Sequence, residues 1–388
     1  MISGKCSKRY WLIVGCFVLV AAIICCAVIV DDRIGNYNSD KSFYGECNIT
    51  LNQIGEVTLV NEVIEKWLAE PGDVSTVEKL YEQYREYGRL DYPNPVVIGF
   101  SVNNVPIDAK IVKQKIAVSE KEDFSDAVYI DVPNHQKQAE IYNLKTGMTY
   151  YYKVTVSLSD GTELQQYSSF KTANTQRYLY IDGVRNVRDI GGYRTLDGKT
   201  VSQGMIYRGT ELDGAISEGK FVITDKGIDT MVNELGIKLE MDLRASNLAN
   251  SKDMLPPQVS HKYYTAFYYL ETFDSHGRKS LKKIFSDLAN PDNYPIYMHC
   301  TYGNDRTGTI AYLMGAVLGM DEQSLYNEWA LSSFFSGSSF SDKMTDFVTT
   351  IKSYKGDTLQ EKVSNYLLSI GVKKSELDSF RRIMLVQE

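Results

Sequence analysis

Histidine is scarce in this 388-residue chain: four are present, at positions 135, 261, 276 and 299. No two stand at metal-ligand spacing, and no C-x2-C pair accompanies them, so the sequence predicts neither a metal centre nor a cofactor. Cysteine is also sparse. Of six, Cys6, Cys16, Cys25 and Cys26 lie in or beside one apolar run, leaving only Cys47 and Cys300 in the remainder, which excludes a disulfide framework. Positive charge is in deficit, with 42 Lys and Arg against 49 Asp and Glu, a net charge of −7. That balance excludes general affinity for nucleic acid or anionic lipid, and any anionic substrate must find a local positive site. Tyrosine is plentiful at 28 residues, which suits half-buried pleated surfaces.

The strongest bulk signal is at the N-terminus. Trp11 to Val30, WLIVGCFVLVAAIICCAVIV, has no charge and no proline, and matches the thickness of a bilayer core. Lys5, Lys8 and Arg9 precede it, and Asp31 and Asp32 follow. The positive-inside rule then predicts a cytoplasmic tail over residues 1–10, a membrane anchor over 11–30, and everything beyond outside the cell. A cleaved signal peptide, giving a secreted protein, is the alternative; the run is long for one and lacks an A-x-A site.

Residues 31–92 read as a stalk with a short helical region. Helical periodicity over 56–70 and 75–88 is broken by Pro71-Gly72-Asp73, with Ser75 or Thr76 as the expected cap of the second helix. Residues 93–173 change to short strands: VVIGFSV, AKIVKQKIAV, AVYIDV, KQAEIYNL, TYYYKVTVSL and LQQYSSFKT, spaced as in a β-sandwich, with Asp160-Gly161 as a hairpin turn. Residues 174–388 alternate strand-like and helix-like segments, which predicts an α/β domain with a mostly parallel sheet flanked by helices. In such sheets reactive groups gather at the carboxyl ends of strands, where Arg244 and Cys300 both fall.

Residues 299–308, HCTYGNDRTG, carry the chemistry. The strand IYMH ends at Cys300, and a helix is expected from near Thr307 to Gly319. The intervening loop, Thr301, Tyr302, Gly303 and Asn304, closes over that helix N-terminus, where backbone N–H groups and the dipole favour an anion. Gly303 lets the loop curl, and Gly308 is expected to let the helix approach the sheet. A cysteine at a helix N-terminus beside a guanidinium is in the setting that favours a thiolate nucleophile. Arg306 can bind two phosphoryl oxygens bidentately. Thr307 can hydrogen-bond the sulfur, and His299 is expected to orient the loop. Asp305 is the first candidate for general acid, Asp274 the second and Asp242 the third, though Asp242 also reads as an ion pair with Arg244 supporting the loop.

HCTYGNDRTG resembles the H-C-x5-R-[ST]-G signature of the protein tyrosine phosphatase superfamily. NVRDIGGY (186–193), MIYRGTEL (205–212), LGIKLEMDLR (235–244) and EWALSS (328–333) resemble segments of its bacterial atypical tyrosine and dual-specificity group. The resemblance implies a Cys-dependent phosphatase with Asn186, Arg188 and Asp189 beneath the active site. It further implies Asp305 as acid and Arg208 in a supporting motif whose usual serine is Gly209 here. Asn304 stands where many members carry lysine, which disfavours multiply phosphorylated substrates and points to phosphotyrosine. NLKTGMTYYYKVTV (143–156) resembles the tyrosine corner of a fibronectin type III domain, with Leu144 and Tyr150 matching.

The expected protein is therefore a membrane-anchored, outward-facing phosphatase acting on a phosphorylated protein or a small phosphomonoester, with the β-sandwich as a spacer or a docking surface for protein or glycan. The alternatives are a phosphoinositide or inositol-phosphate phosphatase, and a surface scaffold using an inactive phosphatase fold. A rhodanese or arsenate reductase shares the Cys–Arg spacing but not the RDIGG segment.

Overall fold

Strand TYYYKVTVSL alternates inward and outward along its whole length, and in the structure it is the central strand of a β-sandwich with Tyr150, Tyr152, Val154, Val156 and Leu158 buried. The structure is a computed structural model that describes residues 45–87, 89–244, 251–265, 268–337 and 341–386. The expected tail (1–10) and anchor (11–30) lie outside the described residues, and no helix among the described residues is long and apolar enough to cross a membrane.

The sandwich has a three-stranded sheet in the order β1 (Asn48–Leu51), β3 (Val96–Asn103), β6 (Gln138–Ile141). Its second sheet runs β2 (Glu56–Val57), β8 (Glu163–Thr172), β7 (Thr149–Leu158), β4 (Ile111–Ser119), β5 (Val128–Val132). Both sheets contribute to one core around Ile98, Ile116, Tyr152, Val154 and Phe170. Tyr150 Oη accepts a hydrogen bond from the Lys145 backbone N–H at 2.8 Å, pinning the turn into β7. Gly161 takes φ +90 in the β7–β8 hairpin, as that turn requires.

The boundary at residue 93 needs correction. β1 and β2 belong to the sandwich, so it begins at Asn48 inside the expected stalk. The segment from β2 to β3 forms α1 (Glu62–Ala69) and α2 (Val74–Tyr84), and their apolar faces turn away from the sandwich. Ile64, Trp67, Val74 and Val77 join the core of the α/β domain instead, and the Trp67 ring meets Phe334 edge-on at 5.8 Å. The cap of α2 is Asp73, which accepts from the Ser75 and Thr76 N–H groups, not Ser75 or Thr76 themselves.

The α/β domain is built on a five-stranded sheet ordered β12 (Ser260–Tyr263), β11 (Leu239–Asp242), β13 (Ile296–His299), β10 (Ile206–Gly209), β9 (Arg188–Asp189). The first four are parallel; β10, β11 and β13 are fully buried, edge strand β12 is partly exposed, and short β9 closes the other edge antiparallel to β10. Helices α3 (Asp225–Asp229), α4 (Ser275–Leu288), α5 (Asp305–Leu318), α6 (Glu322–Ala330), α7 (Ser333–Ser336), α8 (Ser341–Lys352), α9 (Leu359–Ser369) and α10 (Lys374–Met384) complete the domain. α5 is buried from Thr307 to Leu318, apolar all round as a central helix must be. It ends at Gly319 with φ +88, and its Val317 carbonyl is capped by Gln360 Nε2 and Arg381 Nε at 2.9 and 2.8 Å.

Candidate active site

β13 is the middle strand, flanked at His299 by Gly209 of β10 and Asp242 of β11. The chain leaves it at Cys300, loops through Gly303 and Asn304, and enters α5 at Asp305. Gly303 sits at φ +71, and a Cβ there would lie 2.4 Å from the Gly209 carbonyl oxygen. Only glycine fits. Gly308 faces the Trp329 indole of α6 and the guanidinium of Arg208 from β10, so it admits a neighbouring helix as well as a side chain of the sheet.

Three groups at this loop have no side-chain hydrogen-bond partner among the described residues. The Arg306 guanidinium lies over the Tyr268 ring, 5.7 Å from its centroid, with no hydrogen-bond or ion-pair partner among the described residues. The Thr307 hydroxyl is fully buried and unpartnered. The N–H groups of the first turn of α5 have no side-chain cap. Buried polar groups are normally paired, so this combination beside buried Cys300 marks a candidate anion site.

The loop is held from below by residues of three separate segments. Asn186, at φ +55, donates through Nδ2 to the Tyr302 carbonyl at 3.1 Å and to Asn304 Oδ1 at 3.0 Å. Arg188 donates to Asn186 Oδ1, and to Ser332 Oγ at 3.0 Å. Arg208 donates to the Gly303 carbonyl. One carboxylate, Glu328, serves both guanidiniums, accepting from Arg188 at 3.2 Å and Arg208 at 2.6 Å. All three side chains are buried, so two cations share one anion beneath the cysteine and leave an excess of positive charge there. Burial holds the Arg208 pKa below its ordinary value, against the pull of Glu328. Asp189, expected beneath the site, makes no hydrogen bond or ion pair to the loop among the described residues; it accepts from the Gly191 and Gly204 N–H groups and from Arg177 at 2.7, 2.6 and 2.8 Å.

Asp305 heads α5, and its carboxyl accepts a hydrogen bond from Tyr269 Oη at 2.9 Å, which in turn accepts from Trp329 Nε1 at 3.2 Å. Burial raises the Asp305 pKa, opposed by Tyr269, Arg306 and Lys343. A carboxyl so raised retains its proton further toward neutrality, as a general acid requires. Asp274 is placed differently: it is the N-cap of α4, accepting from His276 and Gly277 N–H at 2.8 and 2.7 Å. No contact among the described residues brings it to the loop. Asp242 pairs with Arg244 at 2.7 Å, and Arg244 also meets Glu211 at 2.8 Å and Asp213 at 2.6 Å. The Glu211 N–H donates to the Thr301 carbonyl at 3.1 Å, so this buried cluster is tied to the loop. His299 Nε2 is bound to Glu240 at 2.9 Å, which fixes the ring behind the cysteine. Burial works against its protonation, but Asp242 and Glu240 raise its pKa.

Tyr302 is half exposed at the rim, in contact with Phe221 and Phe335 at 5.4 and 6.4 Å between ring centroids. Tyr268, Tyr269, Glu240, Glu328, Ser332 and Lys343, which stacks on Tyr268 at 5.4 Å, escaped the sequence reading. Glu328 and Ser332 stood inside a recognised segment, and a buried acid facing two motif arginines was the available signal. Tyr269 and Lys343 carried none, because only the tertiary fold brings them to α5.

A family model described as Tyrosine phosphatase family matches residues 179–386. A tyrosine-protein phosphatase of Nostoc commune is 28% identical over 136 residues, covering 29% of this chain and 46% of that protein. The chain thus spans about half the length of the curated relative it matches. Among solved structures, the core catalytic domain of the PP-IP phosphatase SIW14 from S. cerevisiae, in complex with citrate, matches at 16% identity. It covers 43% of this chain and 91% of that one, with a TM-score of 0.28. An alpha-L-rhamnosidase from Dictyoglumus thermophilum matches at 13% identity over 21% of this chain and 10% of its own, with a TM-score of 0.19. At these scores neither likeness bears on the chemistry of this chain.

Proposed function

The chain belongs to the tyrosine phosphatase family, a phosphatase hydrolase, and on that premise we propose that Cys300 is its nucleophile and Arg306 its phosphate clamp. The Cys300 thiolate attacks phosphorus, forming a P–S bond as the P–O bond to the leaving group breaks. Arg306 and the loop N–H groups hold the equatorial oxygens. Asp305 gives its proton to the departing oxygen, then as carboxylate takes one from the water that attacks phosphorus. The P–S bond breaks, the buried Thr307 hydroxyl donates to the departing sulfur, and inorganic phosphate leaves. The observation that carries this reading is the Arg306 guanidinium, which has no hydrogen-bond or ion-pair partner among the described residues and heads the helix that follows Cys300 and its loop.

Phosphotyrosine or another phosphoprotein is the proposed substrate. In support, Asn304 brings no charge and its carbonyl oxygen is engaged by Asn186, while Tyr302, Phe221 and Phe335 form an aromatic wall at the rim. A second reading, a phosphoinositide or inositol-phosphate substrate, is favoured by Lys343 beside Tyr268 and Arg306. Anchoring through residues 11–30 with the remainder outside the cell, and a fibronectin type III-like docking role for the sandwich, belong to the same proposal. The first is supported by the apolar run and its flanking charges, the second by the Tyr150–Lys145 bond.

The test is hydrolysis of p-nitrophenyl phosphate by the full chain and its loss in Cys300→Ser. Absence of turnover by the folded wild-type protein across mildly acidic to mildly basic pH would leave the scaffold reading in its place. A panel of phosphotyrosyl peptides against phosphoinositides decides the substrate class.

A further inference from the structure

We infer that Asp91, which lies outside the matched family segment, is a positioning residue of the catalytic loop. The matched segment begins at residue 179. Asp91 stands in the connection from α2 to β3 and is 1% exposed. Its carboxylate is engaged by three donors of one short stretch. Arg185, 94 positions later, donates from Nε at 2.8 Å and also from Nη2, and the Asn186 backbone N–H donates at 3.0 Å. A carboxylate gripped by a forked guanidinium and a backbone N–H is fixed in both position and plane.

Asn186 is the residue this fixes. It stands at φ +55, a conformation asparagine tolerates but must be held in. Its side-chain amide reaches the Tyr302 carbonyl at 3.1 Å and Asn304 Oδ1 at 3.0 Å, two points of the phosphate-binding loop. The order of contacts therefore runs Asp91, Asn186, loop, with a single residue between the N-terminal segment and the cradle. A second line runs beside it. The Arg185 guanidinium lies between the Tyr92 ring at 5.2 Å and the Phe335 ring at 5.1 Å, and Phe335 packs on Tyr302 of the loop. The helices before Asp91 rest on the same region, Trp67 against Phe334 and the Val74 N–H on Tyr326 Oη at 2.8 Å. Residues 58–87 and 89–92 are thus part of the catalytic unit and not a spacer.

This rests on the proposed phosphatase chemistry, and the experiment separates the two. In the full chain, Asp91→Asn keeps the shape of the side chain but loses its charge and turns an amide N–H toward donors. Expected are a fall in kcat on p-nitrophenyl phosphate of about a hundredfold, the cost typical of misplacing a reacting group, with KM nearly unchanged. The affinity for tungstate, a phosphate-like oxyanion, is expected to weaken in step. A merely structural role would lower the melting temperature while leaving turnover per folded molecule and tungstate affinity intact, and that result overturns the inference. Should Asp91→Asn fail to fold, Arg185→Lys is read instead. It keeps the charge but not the fork, and turnover and tungstate affinity equal to wild type would again overturn it. A wild-type chain that binds tungstate without turnover sinks the phosphatase reading alone, and the tungstate comparison still decides Asp91. A wild-type chain that does neither contradicts both.

Discussion

Asn186 Nδ2 donates to Asn304 Oδ1 at 3.0 Å, joining the loop to a residue 118 positions earlier. The bond explains why an uncharged residue at 304 is compatible with an ordered cradle: its oxygen is an anchor point. Asn186→Ala removes the ties to Tyr302 and Asn304, leaves Arg188 without its acceptor there, and places alanine at positive φ. The expected result is a loss of about 1–3 kcal/mol in chemical denaturation, with a fall in kcat larger than the rise in KM. Unchanged kinetics would show that the loop holds its form without Asn186.

Asp305 and Asp274 are separated by a leaving-group series. Asp305→Asn should slow hydrolysis of poorly leaving alkyl phosphates by about a hundredfold or more, while p-nitrophenyl phosphate is affected far less. Its raised pKa has a direction too: Asp305 must be protonated to act, so the rate on poor leaving groups falls as pH rises through that value. Asp274→Asn should leave rates on both substrates unaltered, because its side chain caps α4. Equal slowing of good and poor leaving groups by Asp305→Asn would remove it as the acid.

His261 gives a pH signature of stability. Burial works against its protonation, but Asp242, Glu240 and Asp253 outweigh it and push its pKa up to about 9, from 6.5 unfolded. A raised pKa means the folded state binds the proton more tightly. The contribution is then fully present below 6.5 and is lost as pH rises through about 9. Melting temperatures measured across that window should fall in wild type and fall less in His261→Gln. Parallel curves would place the charge elsewhere in the cluster.

The strand at 149–158 and the strand–loop–helix over 296–318 were legible because each satisfies several local rules at once: period and turn residues in both and, in the second, a glycine at a position that excludes any other residue. Cys300, Asp305, Arg306 and Thr307 followed from that local order, since they lie within one loop and one helical turn. What escaped depends on contacts far apart in sequence. β1 and β2 have four and two residues, too few to show alternation, so a sandwich edge read as stalk. The α1–α2 pair was visible as helices, but its partner, Phe334, lies far along the chain. Asp91 is one acid in a polar stretch until Arg185 meets it. Asp274 had the spacing of a mobile-loop acid, and its capping bonds to the next helix were hidden by that reading.

The central claim is a covalent phosphoryl intermediate on Cys300. It is tested most directly by acid-quenching the full-length Asp305→Asn protein during turnover of p-nitrophenyl phosphate and mapping phosphate by peptide mass spectrometry. The account predicts a phosphate adduct on the peptide containing Cys300, absent in Cys300→Ser. Continued turnover with phosphate on another residue, or undiminished turnover in Cys300→Ser, would contradict it.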